Sequence, residues 1–457
     1  MEPAPLHFVG IGGIGMSAIA RILSARGVNI TGCDLTDSAL IDDLRAEGVQ
    51  VFIGHDPSHI DGAGGIVVSA AVDADNPECL YADDRGIPVL RRGEMLAKLM
   101  QGSRGIAVCG THGKTTTTAM AASVLQAGGV DANVVVGGIG YDGGGNARTG
   151  GGGWFLTEAD ESDGSFSLLS PEVALITNIE DDHVRSHSDV PRLLEAFAAF
   201  VQRLPRNATA ILGADDARTA ALAAAKKRAQ TITFGLHTSA DVRATNVRTE
   251  GLGSSFDAIA GGVCVGNVGL RVPGAFNVRN ALGAIAIGRA LEIPFAAIAS
   301  ALHGFRGVHR RFEILANGPR LTIVDDYAHH PTAVQETIDA ARRWHRGPLV
   351  VAFQPHRYTR TAYLAYRFAQ ALRGADIVYL TPIYSAGERP IDGISEATIG
   401  RPLEAAGGQV RYACDAGDLR AKICRDAPSG AIVLMLGAGD ITQVAHALAD
   451  DVRSFAA

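Results

Sequence analysis

At 457 residues the chain is too long for a single core and requires roughly three domains of about 150 residues each. Apolar residues make up 47%, enough for several cores, yet no stretch reaches the roughly 20 uninterrupted apolar residues of a membrane span, so no membrane insertion is expected. A formal net charge of −7 argues against a broad nucleic-acid surface, so any anionic ligand must be held by local donors.

In chain order, "LHFVGI", "NITGCD", "GIVVSA" and "IPVL" punctuate the first hundred residues as short apolar strands separated by helical stretches. That alternation predicts βαβ units and a mainly parallel sheet, an α/β fold. The polar break "QGSRG" at 101–105 ends the first unit, and a second break, "ANGPR" at 316–320, precedes "LTIVDDYAHHP". Three consecutive α/β domains are therefore expected, at 1–103, 104–317 and 318–457. In the last of them "PLVVAFQPHR", "ADIVYLTPIYSAGE" and "AIVLMLGAGD" each run an apolar strand into a polar loop. Such carboxyl-end loops are where open α/β sheets bind ligands. The stretch "GGGNARTGGGG" at 143–153 is expected to be a mobile surface loop.

Six scattered cysteines (Cys33, Cys79, Cys109, Cys264, Cys414, Cys424) form no CxxC pair, as expected of a reduced, cytoplasmic protein. The first strand is predicted to begin by residue 7, so no signal peptide is expected before it.

Two glycine loops compete for a phosphate. In the first, Gly10, Gly12 and Gly15 fit G-x-G-x-x-G between a strand and a helix, and Asp34 ends the next strand 19 residues beyond Gly15. Glycines let the backbone approach a pyrophosphate, and the helix start offers amides and a positive dipole end. Asp34 stands where a ribose hydroxyl is usually read. An NAD-dependent dehydrogenase fits this loop, and so does a tight turn that binds nothing. The second loop, Gly110–Thr111–His112–Gly113–Lys114–Thr115, follows the strand "IAVC". It is shorter than a Walker A loop, with Val108 at the place of the first glycine. Its amides can still wrap a phosphate, Lys114 can neutralise β/γ oxygens, and the Thr115 hydroxyl can ligate Mg²⁺. A run of threonines after the lysine is a poor helix start without such a duty.

A metal-bound phosphate needs more ligands at neighbouring strand ends. Glu158, Asp160, Glu161 and Asp163 crowd one such end, and His183 closes the loop after the next strand. Like charges this dense are costly unless a cation or hydrogen-bond donors compensate them.

In order along the chain stand "GIGGIGMS", "GTHGKTTT", "EADESDGSF", "TNIEDDH", "FNVRNALGAIAI", "GVHRRFE", "DDYAHHPT", "FQPHRYTRT", "YSAGERPIDG" and "GAGDI". In this set and order the chain resembles the Mur ligases over essentially its whole length, and most closely their alanine-adding branch. The resemblance implies three domains: a Rossmann-like N-terminal domain for a UDP-sugar, a central P-loop ATP domain, and a Rossmann-like C-terminal domain for the amino acid. It implies ATP and Mg²⁺ as cofactors, UDP-N-acetylmuramate and L-alanine as substrates, and a monomer or weak homodimer. The first loop, with Gly10, Gly12, Gly13, Ile14, Gly15, Asp34 and Ser69, would hold the UDP-sugar. Gly110, Thr111, His112, Gly113, Lys114, Thr115 and Thr116 would cradle ATP, with Asn280 on adenine and Arg311 near the phosphates. Thr115 and Glu158 would hold one Mg²⁺ and His183 a second. Arg310, Tyr327, His329, His330, Arg357 and Arg360 would serve the amino acid or muramyl carboxylate, and Lys114, His183, His329, Arg357 and Arg360 would be catalytic. Arginine forks suit carboxylates and phosphates, and histidines at a strand end can orient or deprotonate an amine.

Departures from the family pattern are Phe276 for a usual histidine, Arg185 for a commonly acidic residue after the metal histidine, and Ala333 for a frequent glutamate. Residues 184–200 contain no lysine, unlike sister ligases that use a carbamylated one. Three rivals remain open at this stage: a murein peptide ligase, with the same chemistry on a peptide amine, an NAD-dependent dehydrogenase, which would leave Lys114, Thr115 and the acidic cluster idle, and a nucleotide-gated binding module without catalysis.

Overall fold

The computed structural model describes residues 4–140, 145–161, 163–182, 189–225 and 229–456. Strands β1 (Leu6–Val9), β2 (Ile30–Asp34), β3 (Gln50–Ile53), β4 (Gly65–Val68) and β5 (Val89–Arg91) form a parallel sheet in the order β3-β2-β1-β4-β5. The order reverses on either side of β1, so the loop after β1 opens at a topological switch point, the crevice in which such sheets bind ligands.

Among the described residues the central sheet has ten strands. β6 (Arg104–Cys109), β7 (Ala132–Val135), β8 (Ala147–Arg148), β9 (Trp154–Glu158), β10 (Val173–Ile176), β11 (Thr209–Gly213), β12 (Gln230–Gly235), β13 (Val242–Glu250), β14 (Gly253–Ala260) and β15 (Val263–Leu270) run in the order β15-β14-β13-β12-β11-β10-β6-β9-β7-β8. β6 lies between β9 and β10, so the phosphate loop after β6 is flanked by the loops that carry the acidic residues. β13 to β15 form an antiparallel meander that the βαβ reading does not foresee. The alternating burial of β14 is the mark of a sheet with one wet face. Its turns rest on Gly251, Gly261 and Gly262 at positive φ.

In the third sheet β16 (Glu313–Asn317), β17 (Leu321–Asp326), β18 (Leu349–Phe353), β19 (Ile377–Leu380), β20 (Val410–Tyr412) and β21 (Ala431–Leu436) run β16-β17-β21-β18-β19-β20. Only β16 is antiparallel to its neighbour. The break "ANGPR" is therefore the turn of a hairpin inside this sheet, and its first strand lies before residue 318.

The apolar side of the first domain is continuous with the underside of the central one: Phe8, Ile19 and Leu96 share a core with Phe155, Phe166 and Phe197. The glycine-rich stretch expected as a surface loop is in part ordered against the first domain. Asn146 is fully buried, donates through Nδ2 to Ile14 O at 2.5 Å and Ser17 Oγ at 2.8 Å, and accepts from Arg21 Nη1 at 2.6 Å. Burial of a side-chain amide is tolerable because all of these bonds are made.

Candidate active site

The first loop turns on Gly10 at φ 81°, where a Cβ would stand 3.0 Å from Ser69 Cβ at the end of β4. The Gly10 and Ile11 amides donate to Cys33 O, and the Gly12 amide donates to Asp34 Oδ2 at 2.9 Å. Asp34 also accepts from Leu35 N at 2.8 Å. Its carboxylate therefore shapes the loop itself, a duty the ribose reading omits. The helix Ile14–Ala25 starts at Gly13 with no side-chain cap, which leaves its first amides for a ligand. Gly15 lies under Arg92, whose guanidinium crosses to Asp163.

The second loop is fixed by its neighbours. Gly110 has φ 112°, and a Cβ there would approach Thr177 Oγ1 to 2.3 Å, so no larger residue fits. Asn178 clamps the loop from β10's end, accepting His112 N at 2.9 Å and donating to His112 O at 3.1 Å. The Thr111 hydroxyl accepts from Glu180 N at 2.9 Å. Asn178 was not singled out from the sequence; an amide just beyond a buried strand, one strand over from the loop, is the signal for it. The helix Lys114–Ala127 then begins at Gly113, again without a side-chain cap. All of Thr115, Thr116, Thr117 and Thr118 are buried. Thr118 bonds back to Lys114 O at 2.9 Å and Thr117 donates to Asn280 Oδ1 at 3.3 Å, so the threonine run is held by bonds of its own.

Lys114 Nζ donates to Glu161 Oε2 at 2.8 Å and Thr111 O at 3.1 Å. Burial alone would lower the ammonium's pKa, but Glu161, Asp160 and Glu158 outweigh it and hold the charge on. Thr115 Oγ1 donates to Glu158 Oε1 at 3.2 Å and accepts from Arg311 Nη2 at 3.3 Å, while Glu158 Oε2 accepts from Gly137 N at 3.0 Å. A hydroxyl and a carboxylate in contact beside a phosphate loop suit a hard divalent cation, and Glu161 Oε1 adds a buried oxygen with no hydrogen-bond partner. The acidic cluster is not one group: Glu158 and Glu161 face the loop, whereas Asp163 pairs with Arg92. His183 and Arg185 lie outside the described residues.

Asn280 is buried directly beneath Gly113, where a Cβ would meet its Oδ1 at 2.4 Å. Its Nδ2 donates to Asn277 Oδ1 at 3.1 Å. The side chain thus ties two helices together under the loop. Phe276 packs against the third domain's core, which gives the departure from histidine a structural use.

The third domain presses its strand-end loops onto the loop after β10. Arg360 Nη2 donates to Asp182 Oδ1 at 2.5 Å, Arg367 Nη1 to Asp181 Oδ1 at 2.7 Å, and Thr332 Oγ1 to Glu180 Oε2 at 2.6 Å. His330 caps the helix Pro331–Trp344, its Nδ1 accepting from Thr332 N, so the 3.1 Å contact with His112 has His112 Nε2–H as donor. His330 Nε2 is left buried without a partner. His329 Nδ1–H donates to Tyr327 O at 2.7 Å, which leaves its Nε2 lone pair 3.8 Å from Asp182. Burial and the adjacent Arg360 hold His329 well below its ordinary pKa, hence neutral. Arg310 and Arg311 both lie 5.0 Å from the Tyr327 ring centre, a cation–π pair. They diverge at the guanidinium: Arg311 reaches Thr115, whereas Arg310 donates to Gly437 O at 2.9 Å. Arg357 sits at φ 70°, and its buried Nε has no partner. The structure therefore brings Lys114, Thr115, Glu158 and Arg311 together on one side of a junction and His329, His330 and Arg360 on the other. Gly10 to Gly15 stand apart, on the first sheet.

Comparison with known proteins covers all three units. The chain matches the Mur ligase family catalytic domain over residues 5–104, the Mur ligase middle domain over 108–288 and the Mur ligase glutamate ligase domain over 310–439. It is 43% identical over 450 residues to the UDP-N-acetylmuramate–L-alanine ligase of Geotalea uraniireducens, covering 98% of each chain. The same-named protein of Geobacter sulfurreducens is 42% identical, with 97% of this chain and 96% of that one covered. The crystal structure of the UDP-N-acetylmuramate–alanine ligase of Thermotoga maritima superimposes with a TM-score of 0.85 at 30% identity, covering 99% of this chain and all of that one. With three α/β domains in this order and relatives that match from end to end, the chain belongs to the Mur ligase family.

Proposed function

We propose that the protein joins L-alanine to the lactyl carboxylate of UDP-N-acetylmuramate at the expense of ATP, a step in peptidoglycan precursor synthesis. The observation that carries the reading is the junction itself: a lysine-bearing phosphate loop on the central sheet faces the His329–Arg360 cluster of the third. The relatives' shared name supports the choice of substrates.

In this reading the loop amides from Gly110 to Thr116 enclose the ATP phosphates, and Lys114 exchanges Glu161 and Thr111 for β/γ oxygens. Mg²⁺, held by Thr115 and Glu158 with His183 on a second ion, would supply charge compensation for an anionic carboxylate meeting a triphosphate. The lactyl carboxylate attacks the γ-phosphorus, giving an acyl phosphate and ADP. The alanine amine then attacks the acyl carbon, and phosphate leaves the tetrahedral intermediate. Arg311 reaches the same hydroxyl as the phosphate site and stabilises charge there. Arg357 and Arg360 offer forks for carboxylates. His329, with its proton on Nδ1, keeps Nε2 to take a proton from the amine. The first loop, opened at the switch point and lined by Ser69, binds the UDP-sugar, with Asp34 shaping it. Asn280 serves ATP by supporting Gly113, and an adenine contact would require it to leave the partners it now has. We further place the protein in the cytoplasm as a monomer or weak homodimer; among the described residues no helix is long and apolar enough to cross a membrane.

The test is phosphate release from ATP by the purified protein with UDP-N-acetylmuramate, with and without L-alanine. Release that requires both substrates is expected. Release with a tripeptide but not with L-alanine would replace the reading by peptide addition, and reduction of NAD would replace it altogether.

A further inference from the structure

The opposite face of the first sheet carries a cluster that the ligase chemistry does not use. His7 and Cys33 lie on the same face of adjacent strands β1 and β2, where His7 pairs with Thr31 and Val9 with Cys33. His55 follows β3, and Glu78 sits in the first turn of the helix Pro77–Arg85, which covers that face. His7, Cys33 and Glu78 are each fully buried. Cys33 Sγ lies 3.0 Å from Glu78 Oε2 and 3.3 Å from His55 Nδ1, and His55 Nδ1 lies 3.0 Å from Glu78 Oε2. His7 Nε2 faces Glu78 Oε1 at 3.9 Å. One donor atom each from His7, Cys33 and Glu78 falls within 4.8 Å of the others.

A hydrogen-bonded buried carboxylate would account for part of this arrangement. It does not account for His7 Nε2, which is buried and has no hydrogen-bond partner. The other nitrogen of that ring, Nδ1, bonds Thr31 Oγ1 at 2.9 Å, which fixes the ring with its bare nitrogen towards the cluster. A metal-ligating histidine is held in this way by its outer partner. His59 does the same for the carboxylate, with Nδ1 2.8 Å from Glu78 Oε1, and its ring stacks on Phe52 at 4.3 Å. Zinc bonds of about 2.0–2.3 Å place tetrahedral donors roughly 3.3–3.8 Å apart; the four separations given above, 3.0–3.9 Å, bracket that range, and the His7, Cys33 and Glu78 donors all lie within 4.8 Å of one another. Thiolate, imidazole and carboxylate are the donor types zinc takes. The His55 and His59 side chains are each 14% exposed and give an ion a way in.

We propose that His7, Cys33, His55 and Glu78 bind a zinc-class divalent cation as a structural site of the first domain. Binding deprotonates the Cys33 thiol, and that proton is released to solvent. The metal would brace the end of β2, whose Cys33 carbonyl receives the Gly10 and Ile11 amides of the UDP-sugar loop. Among the described residues a second set of possible donors is His112, Glu180 and His330; it belongs to the ATP junction and contains no sulfur.

The absence of sulfur there makes the experiment selective. The full-length protein is stripped with a chelator and titrated with Zn²⁺ alone, then with Co²⁺ as a spectroscopic probe, with Cys33→Ser in parallel and circular dichroism as a check on folding. The expected result is one equivalent of Zn²⁺ per chain, a thiolate-to-cobalt charge-transfer band, and a rise in Tm with Zn²⁺. In Cys33→Ser the band is lost and zinc affinity falls tenfold or more. Failure of the wild-type chain to take up stoichiometric zinc, or a thiolate band that survives in Cys33→Ser, would overturn the site.

Discussion

The turn that sets Lys114 and Thr115 at the start of a helix is legible from six letters of sequence, because its glycines mark it. What the letters do not show is the company these residues keep. Glu161 neutralises Lys114 at 2.8 Å, and Asn178 holds both backbone groups of His112. In the proposed reading, replacing Lys114 by Ala removes a charge that would act on the migrating phosphoryl group, and we expect turnover to fall on the order of a hundredfold or more, about 3–4 kcal/mol of barrier. UDP-sugar binding by calorimetry should be unchanged, and more than a tenth of wild-type turnover would contradict the assignment. Asn178→Ala should raise KM for ATP more than it lowers kcat, since it frees the loop without touching the chemistry. His330 carries a pH signature. Burial lowers its pKa from an ordinary 6.5 to about 4, with Asp182 opposing. Between those values the unfolded chain binds a proton that the folded chain refuses, so stability is retained above 6.5 and lost as pH falls toward 4. Urea unfolding of His330→Gln across that window should show a slope smaller by about one proton; an unchanged slope would place the titration elsewhere.

Among the elements, the strand–loop–helix units were readable because short apolar runs that give way to polar loops recur along the chain. The antiparallel meander of β13 to β15 was not, because its alternation of buried and wet residues is diluted by small polar side chains such as Ser254, Ser255 and Asn267. The break at 316–320 misled for a related reason: Asn317 and Gly318 turn a hairpin as readily as they end a domain. The metal cluster escaped notice because its donors are spread from residue 7 to residue 78 and only sheet pairing gathers them. At this scale Phe166 is informative. It is 2% exposed, stacks on Phe197 at 4.6 Å and meets Phe200 edge-on at 5.5 Å, in the core the first and central domains share. Phe166→Ala should cost about 3–5 kcal/mol of stability, read from denaturant midpoints, with the larger loss expected because two neighbouring rings lose a partner at once.

At the scale of the molecule, the site exists only where domains meet. Arg360, Arg367 and Thr332 of the third domain bind Asp182, Asp181 and Glu180 of the central one, and Arg279 of the central domain pairs with Glu336 of the third. Closure of this junction would bring the amine to the acyl phosphate and keep water from it. Arg360→Lys keeps the charge and loses the fork, so use of L-alanine should suffer more than ATP binding, seen as a larger rise in KM for L-alanine than for ATP. An equal rise for both substrates would mean that Arg360 acts on closure alone. The direction of activation offers the sharpest test. In the proposed reading the phosphate loop addresses the β/γ end of ATP through Lys114 and Thr115, which would leave the γ-phosphorus open to in-line attack. With oxygen-18 in the lactyl carboxylate of UDP-N-acetylmuramate, one labelled oxygen should leave in inorganic phosphate, with ADP as the other product; label recovered in AMP would contradict the reading of this site.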